Sequence, residues 1–238
     1  MKISVLDSYE AISRAAAGII TRQLETKKDL LLCAATGNSP SGTYEQLVEE
    51  YRNRPGLFAG LRVLKLDEWG GIPIDDPGSC ESYLQAHVLS PLQVSGSRYL
   101  SFHSDAADPE GECKRVEGEL EKAGPIDCCI LGLGLNGHIG LNEPAEILQP
   151  DFHLAQLSEG TLHHSMVEVM SRKPSYGLTM GLANILQAHT ILLLISGKGK
   201  RNITRELLSK KITTRLPASF LWLHPNTICL LDKEAYGE

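Results

Sequence analysis

The sequence lacks any long apolar segment. Its longest apolar runs, such as Leu30 to Ala35 and Ile191 to Ile195, have the length of a strand. They fall far below the roughly 20 residues that a membrane-spanning helix requires. The first ten residues, MKISVLDSYE, contain no apolar h-region of the kind that a secretory signal carries. We therefore predict a cytoplasmic protein with no membrane partner.

An excess of basic charge and a cysteine framework are also missing. The chain carries 23 Lys and Arg residues against 29 Asp and Glu residues, a formal net charge of -6. Such a balance repels nucleic acid phosphates. The six cysteines follow no pattern of spacings, and adjacent Cys128 and Cys129 would point to opposite faces of a strand. We expect no nucleic acid partner and no disulfides.

The chain does contain a regular alternation of short apolar runs and amphipathic stretches. A first strand is predicted near Ile3, and the remaining strand-like runs are Asp29 to Ala35, Arg62 to Leu66, Ile126 to Leu133, Thr190 to Ile195 and Thr227 to Leu231. Helical spacing marks Ile12 to Leu24, a stretch from Ser41, Ser79 to Leu89, Pro109 to Ala123, Leu162 to Met170, Leu178 to Gln187 and Lys200 to Lys210. Buried strands alternating with helices predict parallel βαβ units. The expected fold is α/β, a single Rossmann-like doubly wound domain over residues 1–238 with a mainly parallel central sheet.

Ligands of such folds bind beyond the carboxyl ends of the strands. Four polar, glycine-rich segments follow predicted strands and should converge on one rim: residues 36–40, 67–71, 132–144 and 196–200. In the first, Thr36, Gly37, Asn38 and Ser39 run into a helix, which suits an anion because free N–H groups point out of the helix N-terminus. A plain turn with Ser39 as N-cap is the alternative. Lys200 or Lys198 in the fourth segment suits phosphate contact, unless this is a solvated basic turn.

Proton-transfer groups stand in the other two segments. Asp67 and Glu68 follow a strand directly, where partial desolvation would raise a carboxyl pKa towards that of a general base; solvated loop acids are the alternative. The stretch LGLGLNGHIGLNEP, residues 131–144, sets His138 among glycines with a carboxylate, Glu143, five residues on. A carboxylate can fix the tautomer of an imidazole and raise its basicity. This spacing is not a zinc pattern, and we predict no metal.

Together these segments resemble the glucosamine-6-phosphate deaminase / 6-phosphogluconolactonase superfamily over nearly the whole chain. The motifs KLDEW, GLGLNGHIGLNEP and PASFLWLH, with the stretches at 77–92 and 148–157, are similar to galactosamine-6-phosphate deaminase/isomerases. The resemblance implies a small-molecule sugar phosphate as partner and acid–base chemistry without a cofactor, and it leaves a homo-oligomer open.

The resemblance also implies a role for each matching residue. Asp67 would move a proton between C2 and C1, while His138, with Glu143 as its partner, would assist ring opening. Phosphate binding would fall to Asn38, Ser39 and Lys200. The backbone at Gly132 and Gly134 would approach the sugar.

Two positions depart from the glucosamine branch. Asn136 stands where those enzymes carry Asp, which removes a charge beside His138 and leaves Glu143 as its charged partner; the galactosamine-type enzymes also have Asn there. The stretch 161–170 has no Arg for the phosphate, and His163, His164 or Arg172 could replace it. The rivals are glucosamine-6-phosphate deamination, 6-phosphogluconolactone hydrolysis and a non-enzymatic sugar-phosphate sensor.

Overall fold

The computed structural model describes residues 1–163 and 165–238. Its strands are β1 Lys2–Leu6, β2 Leu31–Ala34, β3 Arg62–Lys65, β4 Asp67–Gly70, β5 Tyr99–Leu100, β6 Cys128–Gly132, β7 His153–Ala155, β8 Tyr176–Thr179, β9 Thr190–Ile195 and β10 Thr227–Asp232. Its α-helices are α1 Tyr9–Thr26, α2 Asn38–Asn53, α3 Cys80–Leu84, α4 Pro109–Ala123, α5 Glu159–Leu162, α6 Ser165–Glu168, α7 Leu182–Ile185, α8 Arg201–Leu208 and α9 Lys233–Tyr236. A π-helical turn, Gln85–Leu89, continues α3, and 3₁₀ turns cover Pro55–Phe58, Gly96–Arg98, Lys198–Lys200 and Pro217–Leu223.

In the part of the chain that the structure describes, seven strands form the central sheet in the order β1-β10-β9-β6-β2-β3-β5. Every neighbouring pair in it is parallel. From β2 the chain builds outward through β3 and β5, and then returns to place β6 on the other side of β2. The strand order therefore reverses between β2 and β6, the place where doubly wound folds hold their ligands.

Helices cover both faces of the central sheet. Along β2, Leu31 and Cys33 belong to one apolar core, while Leu32 and Ala34 belong to the other, as the alternation of side chains along a strand requires. The first core packs on α4, α7, α8 and α9, and the second on α1, α2 and α3. The fold class predicted from periodicity is confirmed.

A second, smaller sheet was not predicted. It has the order β4-β8-β7, and both of its pairings are antiparallel. The predicted helix from Leu178 to Gln187 is wrong in its first part, since Tyr176–Thr179 is a strand and α7 is limited to Leu182–Ile185. Gly181 separates the two, and a Cβ there would lie 2.2 Å from the carbonyl oxygens of the 150–151 segment, so the chain passes too close to that segment for a larger residue.

Three further boundaries differ from the sequence predictions. The segment expected to be a loop after β3 is strand β4, bonded to β8. The predicted helix from Leu162 to Met170 is replaced by α5 and α6, two short pieces of four residues each. The helix expected from Lys200 begins as a 3₁₀ turn and becomes α-helical at Arg201. Among the described residues, no helix has the length and apolarity needed to cross a membrane.

Candidate active site

A cavity of about 540 Å³ opens where the strand order reverses. The residues predicted for the site line it, with the exception of Glu143: Thr36, Gly37, Asn38, Ser39, Asp67, Gly132, Gly134, Asn136, His138 and Lys200. Glu143 lies behind His138 and contacts it. The four segments that sequence reasoning placed on one rim therefore meet at a single hollow of sugar-phosphate size.

The loop after β2 presents its backbone to this cavity. Gly37 has φ of +96°, a conformation that glycine adopts without a Cβ penalty, and it precedes the first turn of α2. The N–H groups of Gly37, Asn38 and Ser39 bond to no residue that the structure describes. Gly132 at the end of β6 packs closely on this loop, since a Cβ there would lie 3.1 Å from Ser39 Oγ. Free N–H groups at a helix N-terminus make a ready site for an anion.

Lys200 brings a positive charge to the same end of the cavity. Its Nζ donates a hydrogen bond of 2.5 Å to the carbonyl oxygen of Leu133. Burial lowers the pKa of Lys200 from its ordinary value. The other lysine considered for this role, Lys198, is absent from the lining of the cavity.

Asp67 is a buried carboxylate at the floor of the cavity. The residue is 8% exposed. Burial, with the nearby charge of Glu68, raises the pKa of Asp67 to about 7, although His138 and Lys65 act in the opposite direction. The Cys80 thiol lies 3.9 Å from Asp67 Oδ1 and gives little compensation. A carboxyl group that titrates near neutral pH suits a general base.

Glu68 points away from the cavity and is fully buried. Its carboxylate accepts hydrogen bonds from the Lys65 ammonium at 2.7 Å and from the backbone N–H groups of Trp69, Cys80 and Glu81 at 2.8–2.9 Å. The view of Asp67 and Glu68 as solvated loop acids is therefore wrong for both. Through these hydrogen bonds Glu68 connects the start of α3 to β4. Asp67 is therefore the acid of this pair that faces the cavity.

His138 lies on the glycine-rich loop after β6 and is paired with Glu143. Its Nδ1 is 3.5 Å from Glu143 Oε2, the separation of an ion pair, and that nitrogen makes no hydrogen bond to any other described residue. Asn136 connects the two residues: its Nδ2 donates to Glu143 Oε2 at 2.6 Å, and its Oδ1 accepts from the His138 N–H at 3.1 Å. Asn136 thus orders the loop without adding a charge.

Glu143 is held by groups that the sequence analysis did not identify. The hydroxyls of Ser158 and Thr161 both donate to its Oε1. Burial by itself would raise the pKa of Glu143, but the interactions with His138, Thr161 and Asn136 lower it to about 2. Glu143 is therefore a permanent negative charge next to His138.

Gly134 makes room for the imidazole of His138. A Cβ on Gly134 would lie about 2.5 Å from three atoms of the His138 ring, so the ring rests directly on the backbone. Gly140 lies over Asp67, where a Cβ would be 3.5 Å from Asp67 Oδ2, an ordinary contact; glycine suits this position because its φ is +57° and a Cβ would lie 3.0 Å from Thr179 Oγ1. The loop therefore packs on both His138 and Asp67.

The sequence analysis left three candidates, His163, His164 and Arg172, for the role of the phosphate-binding arginine of the glucosamine enzymes. His163 lines the cavity, and its Nδ1 lies 2.7 Å from the carbonyl oxygen of Glu159. Since a carbonyl oxygen only accepts, Nδ1 carries a proton. Arg172 is absent from the cavity lining and lies close enough to Asp76 to lower the pKa of that carboxyl. His164 lies outside the described residues.

Sequence comparison relates the chain to known proteins over most of its length. The model of the family described as glucosamine-6-phosphate isomerases/6-phosphogluconolactonase matches residues 7–229. The Escherichia coli (strain K12) protein named "Putative deaminase AgaI" is 41% identical over 227 residues, which are 95% of this chain and 90% of that protein. The glucosamine-6-phosphate deaminase of Thermoanaerobacter pseudethanolicus (strain ATCC 33223 / 39E) is 36% identical over 237 residues, 99% of this chain and 94% of its own.

Solved structures agree with this relationship. A structure described as that of a monomeric glucosamine-6-phosphate deaminase superposes with a TM-score of 0.93 at 36% identity, and the match covers 100% of this chain and 99% of the other. The 6-phosphogluconolactonase from Trypanosoma cruzi superposes with a TM-score of 0.81 at 20% identity, over 100% of this chain and 96% of that one, and so shares the fold. The chain belongs to the family of glucosamine-6-phosphate isomerases and 6-phosphogluconolactonases.

Proposed function

We propose that this isomerase/deaminase enzyme converts D-galactosamine 6-phosphate and water to D-tagatose 6-phosphate and ammonia, over its whole length as one catalytic domain. The observation that carries the proposal is the shared cavity. A carboxyl group with a pKa of about 7, an imidazole paired with a carboxylate, and a loop of free N–H groups all meet there. The deamination of an amino-sugar phosphate requires all three: a base, a group that opens the sugar ring and a site for the phosphate.

Phosphate binding is assigned to the loop at residues 36–39 and to Lys200. Free N–H groups and an ammonium together suit a phosphate dianion. Holding the phosphate at one end of the cavity places the sugar carbons against Asp67 and His138, so later proton transfers become nearly intramolecular. This orientation is the main contribution of the phosphate end to the rate.

His138 is assigned to ring opening. It accepts the proton of the C1 hydroxyl and passes it to the ring oxygen as the bond between C1 and that oxygen breaks, which yields the open-chain aldehyde and regenerates the neutral imidazole. Positive charge develops on the imidazole during this exchange, and the fixed negative charge of Glu143 stabilises it. Asn136 holds that carboxylate in place by its hydrogen bond.

Asp67 is assigned to the isomerisation. Its carboxylate takes the proton from C2 while the C1 oxygen gains a proton from water, which produces an enolamine. Asp67 then returns the proton to C1 while the nitrogen loses a proton to water. The product is a ketimine at C2 with a hydroxyl at C1. Water then adds to the C2–N double bond and ammonia leaves, so that the ketose phosphate and ammonia account for all atoms of the amino sugar and the water.

Glucosamine 6-phosphate, with fructose 6-phosphate as product, is the second candidate substrate. It is favoured by the relatives of that name that are 36% identical over 99% of this chain. Asn136 favours the galactosamine substrate, because galactosamine-type enzymes resemble this chain at that position. The lactonase and sensor alternatives are weaker, since the His138–Glu143 pair suits ring opening.

The decisive experiment measures ammonia release from galactosamine 6-phosphate and glucosamine 6-phosphate side by side, with 6-phosphogluconolactone hydrolysis as a third assay. We expect a higher kcat/KM for galactosamine 6-phosphate. A preference for glucosamine 6-phosphate would select the second candidate. Lactone hydrolysis without ammonia release from either amino sugar would refute both.

A further inference from the structure

Three tyrosine hydroxyls bond to backbone carbonyl oxygens of the loop that follows β2. Tyr44 donates to Ala35 O at 2.6 Å, Tyr83 donates to Gly37 O at 2.9 Å, and Tyr9 donates to Asn38 O at 2.7 Å. None of the three tyrosines lines the cavity, whereas all three acceptor residues do. The tyrosines therefore contact the loop from its outer side.

The three tyrosines come from three different helices. Tyr9 begins α1, Tyr44 lies within α2 and Tyr83 lies within α3. The contacts join residues 29, 9 and 46 positions apart in the sequence. Contacts of this range fix the loop relative to the body of the fold, which a local turn cannot do.

Fixing a carbonyl also fixes the following N–H group. The peptide unit is planar, and its C=O and N–H bonds point in opposite directions. When Tyr83 holds Gly37 O outward, the N–H of Asn38 turns towards the cavity. Tyr9 has the same effect, through Asn38 O, on the N–H of Ser39.

Tyr9 has a second contact that strengthens this geometry. Its hydroxyl accepts a hydrogen bond of 2.7 Å from the Gly42 N–H while it donates to Asn38 O. These two backbone groups are four residues apart, the spacing of a direct helical hydrogen bond. The approach of α1 requires glycine at position 42, since a Cβ there would lie 2.4 Å from Ser13 Oγ.

Tyr83 is likewise held by more than one contact. Its hydroxyl lies 2.7 Å from Ser41 Oγ, and Ser41 also donates to Gly37 O at 2.9 Å. Burial raises the pKa of Tyr83 to about 12, so the hydroxyl stays protonated and able to donate at neutral pH. The two hydroxyls have one hydrogen each, so at any moment at least one of them donates to the carbonyl of Gly37 and the other can donate within the pair.

We propose that Tyr9, Tyr44 and Tyr83 are positioning residues for a phosphomonoester, which turn the N–H groups of the loop into the cavity before the ligand arrives. This inference rests on the proposed function in taking the anion to be the substrate phosphate. The three residues do not touch the ligand. They remove the cost of ordering the loop on binding, which increases affinity without any new contact to the ligand.

Tyr9→Phe and Tyr83→Phe test the proposal by removing one hydroxyl each from a side chain that is only partly buried. KM for galactosamine 6-phosphate and the dissociation constant for inorganic phosphate should each rise by roughly 3- to 10-fold, the factor that one lost hydrogen bond commonly produces. kcat should stay within about twofold, because uniform binding is what is lost. Calorimetric titration with inorganic phosphate gives the second value independently of any reaction.

Tyr51→Phe is the matched control. Tyr51 lies on α2, packs edge-on against Phe58, and makes no hydrogen bond to a described residue, so both constants should be unchanged. Phosphate affinity and KM within twofold of wild type in both test variants would overturn the proposal, as would a loss confined to kcat. If the wild-type enzyme binds phosphate but releases no ammonia, the proposed function is refuted. The phosphate titrations of the wild type and the tyrosine variants still decide this inference in that case.

Discussion

Two carboxylates serve the same cavity from opposite electrostatic environments. Asp67 lies on the floor, where burial and Glu68 raise its pKa to about 7. Glu143 lies behind the imidazole, where His138 and the hydrogen bonds from Thr161 and Asn136 lower its pKa to about 2. Environments that separate two pKa values in this way assign different roles to chemically similar groups. Asp67 can exchange a proton near neutral pH, whereas Glu143 serves as a fixed charge.

The largest effect should come from Asp67→Asn. An amide cannot accept the C2 proton, so kcat should fall at least roughly 100-fold. Ammonia release under saturating substrate measures this. Asp75→Asn, an exposed acid in the following loop, is the control and should retain full activity. Turnover near the wild-type level in Asp67→Asn would remove Asp67 from the mechanism.

A smaller loss is expected for Glu143→Gln. The amide keeps the shape of the side chain but no longer stabilises positive charge on His138, so kcat should fall roughly 10-fold. The exposed Glu146, three residues further along the same loop, supplies the control Glu146→Gln. If Glu143→Gln and Glu146→Gln have equal kcat, the pairing of Glu143 with His138 does not contribute to the rate.

The pH profile should reflect Asp67 and not Glu143. The base works only when ionised, so kcat/KM should decline by about tenfold per pH unit below a midpoint near 7. Glu143, with a pKa of about 2, stays ionised throughout this range. The phosphate group of the substrate also ionises in this range. Measuring the inhibition constant of inorganic phosphate at the same pH values separates that ionisation from the ionisation of Asp67. A kcat/KM that stays constant over the range around this midpoint, from about pH 5.5 to about pH 8, would contradict the assignment of Asp67 as the base.

The two substitutions should change stability in opposite directions. The folded-state pKa of Asp67 is raised, so the stability that this group contributes is full below its unfolded value of about 4 and is lost as pH rises through 7. The pKa of Glu143 is lowered, so its contribution is full above its unfolded value and is lost as pH falls towards 2. At pH 8, Asp67→Asn should therefore raise Tm and Glu143→Gln should lower it, each by roughly 3–10 °C. Thermal unfolding by circular dichroism checks this, and shifts of the same sign would show that the two environments are alike.

The sequence was sufficient to predict the central sheet and most of the site. Continuous apolar runs such as Ile191 to Ile195 reflect burial on both faces, which only a covered parallel sheet provides. Ligand sites of such folds lie beyond the carboxyl ends of the strands, so the cavity-lining residues Asp67, His138 and Lys200 could be found by position along the chain. These predictions depended on local pattern, which a single sequence displays.

What the sequence did not predict depends on contacts between distant residues. The β4–β8 pairing joins residues more than 100 positions apart, and strands of four residues leave too short a pattern to recognise. Ser158 and Thr161 are ordinary helix-start residues in the sequence, and their bonds to Glu143 arise only from the packing of α5 on the loop. Nor did any motif mark the three tyrosines behind the loop at 36–39.

The antiparallel pairing of β4 with β8 has a consequence for the loop that carries His138. Asp67 lies opposite Thr179 and Glu68 lies opposite Leu178, and neighbouring side chains on a strand face opposite sides. A shift of β8 by one residue would turn Thr179 to the other face of the sheet, and its hydroxyl would lose the hydrogen bond that it accepts from the Leu141 N–H of this loop. An insertion or deletion between residues 171 and 175, which lie outside the cavity lining, would therefore displace this loop without altering any residue of the cavity.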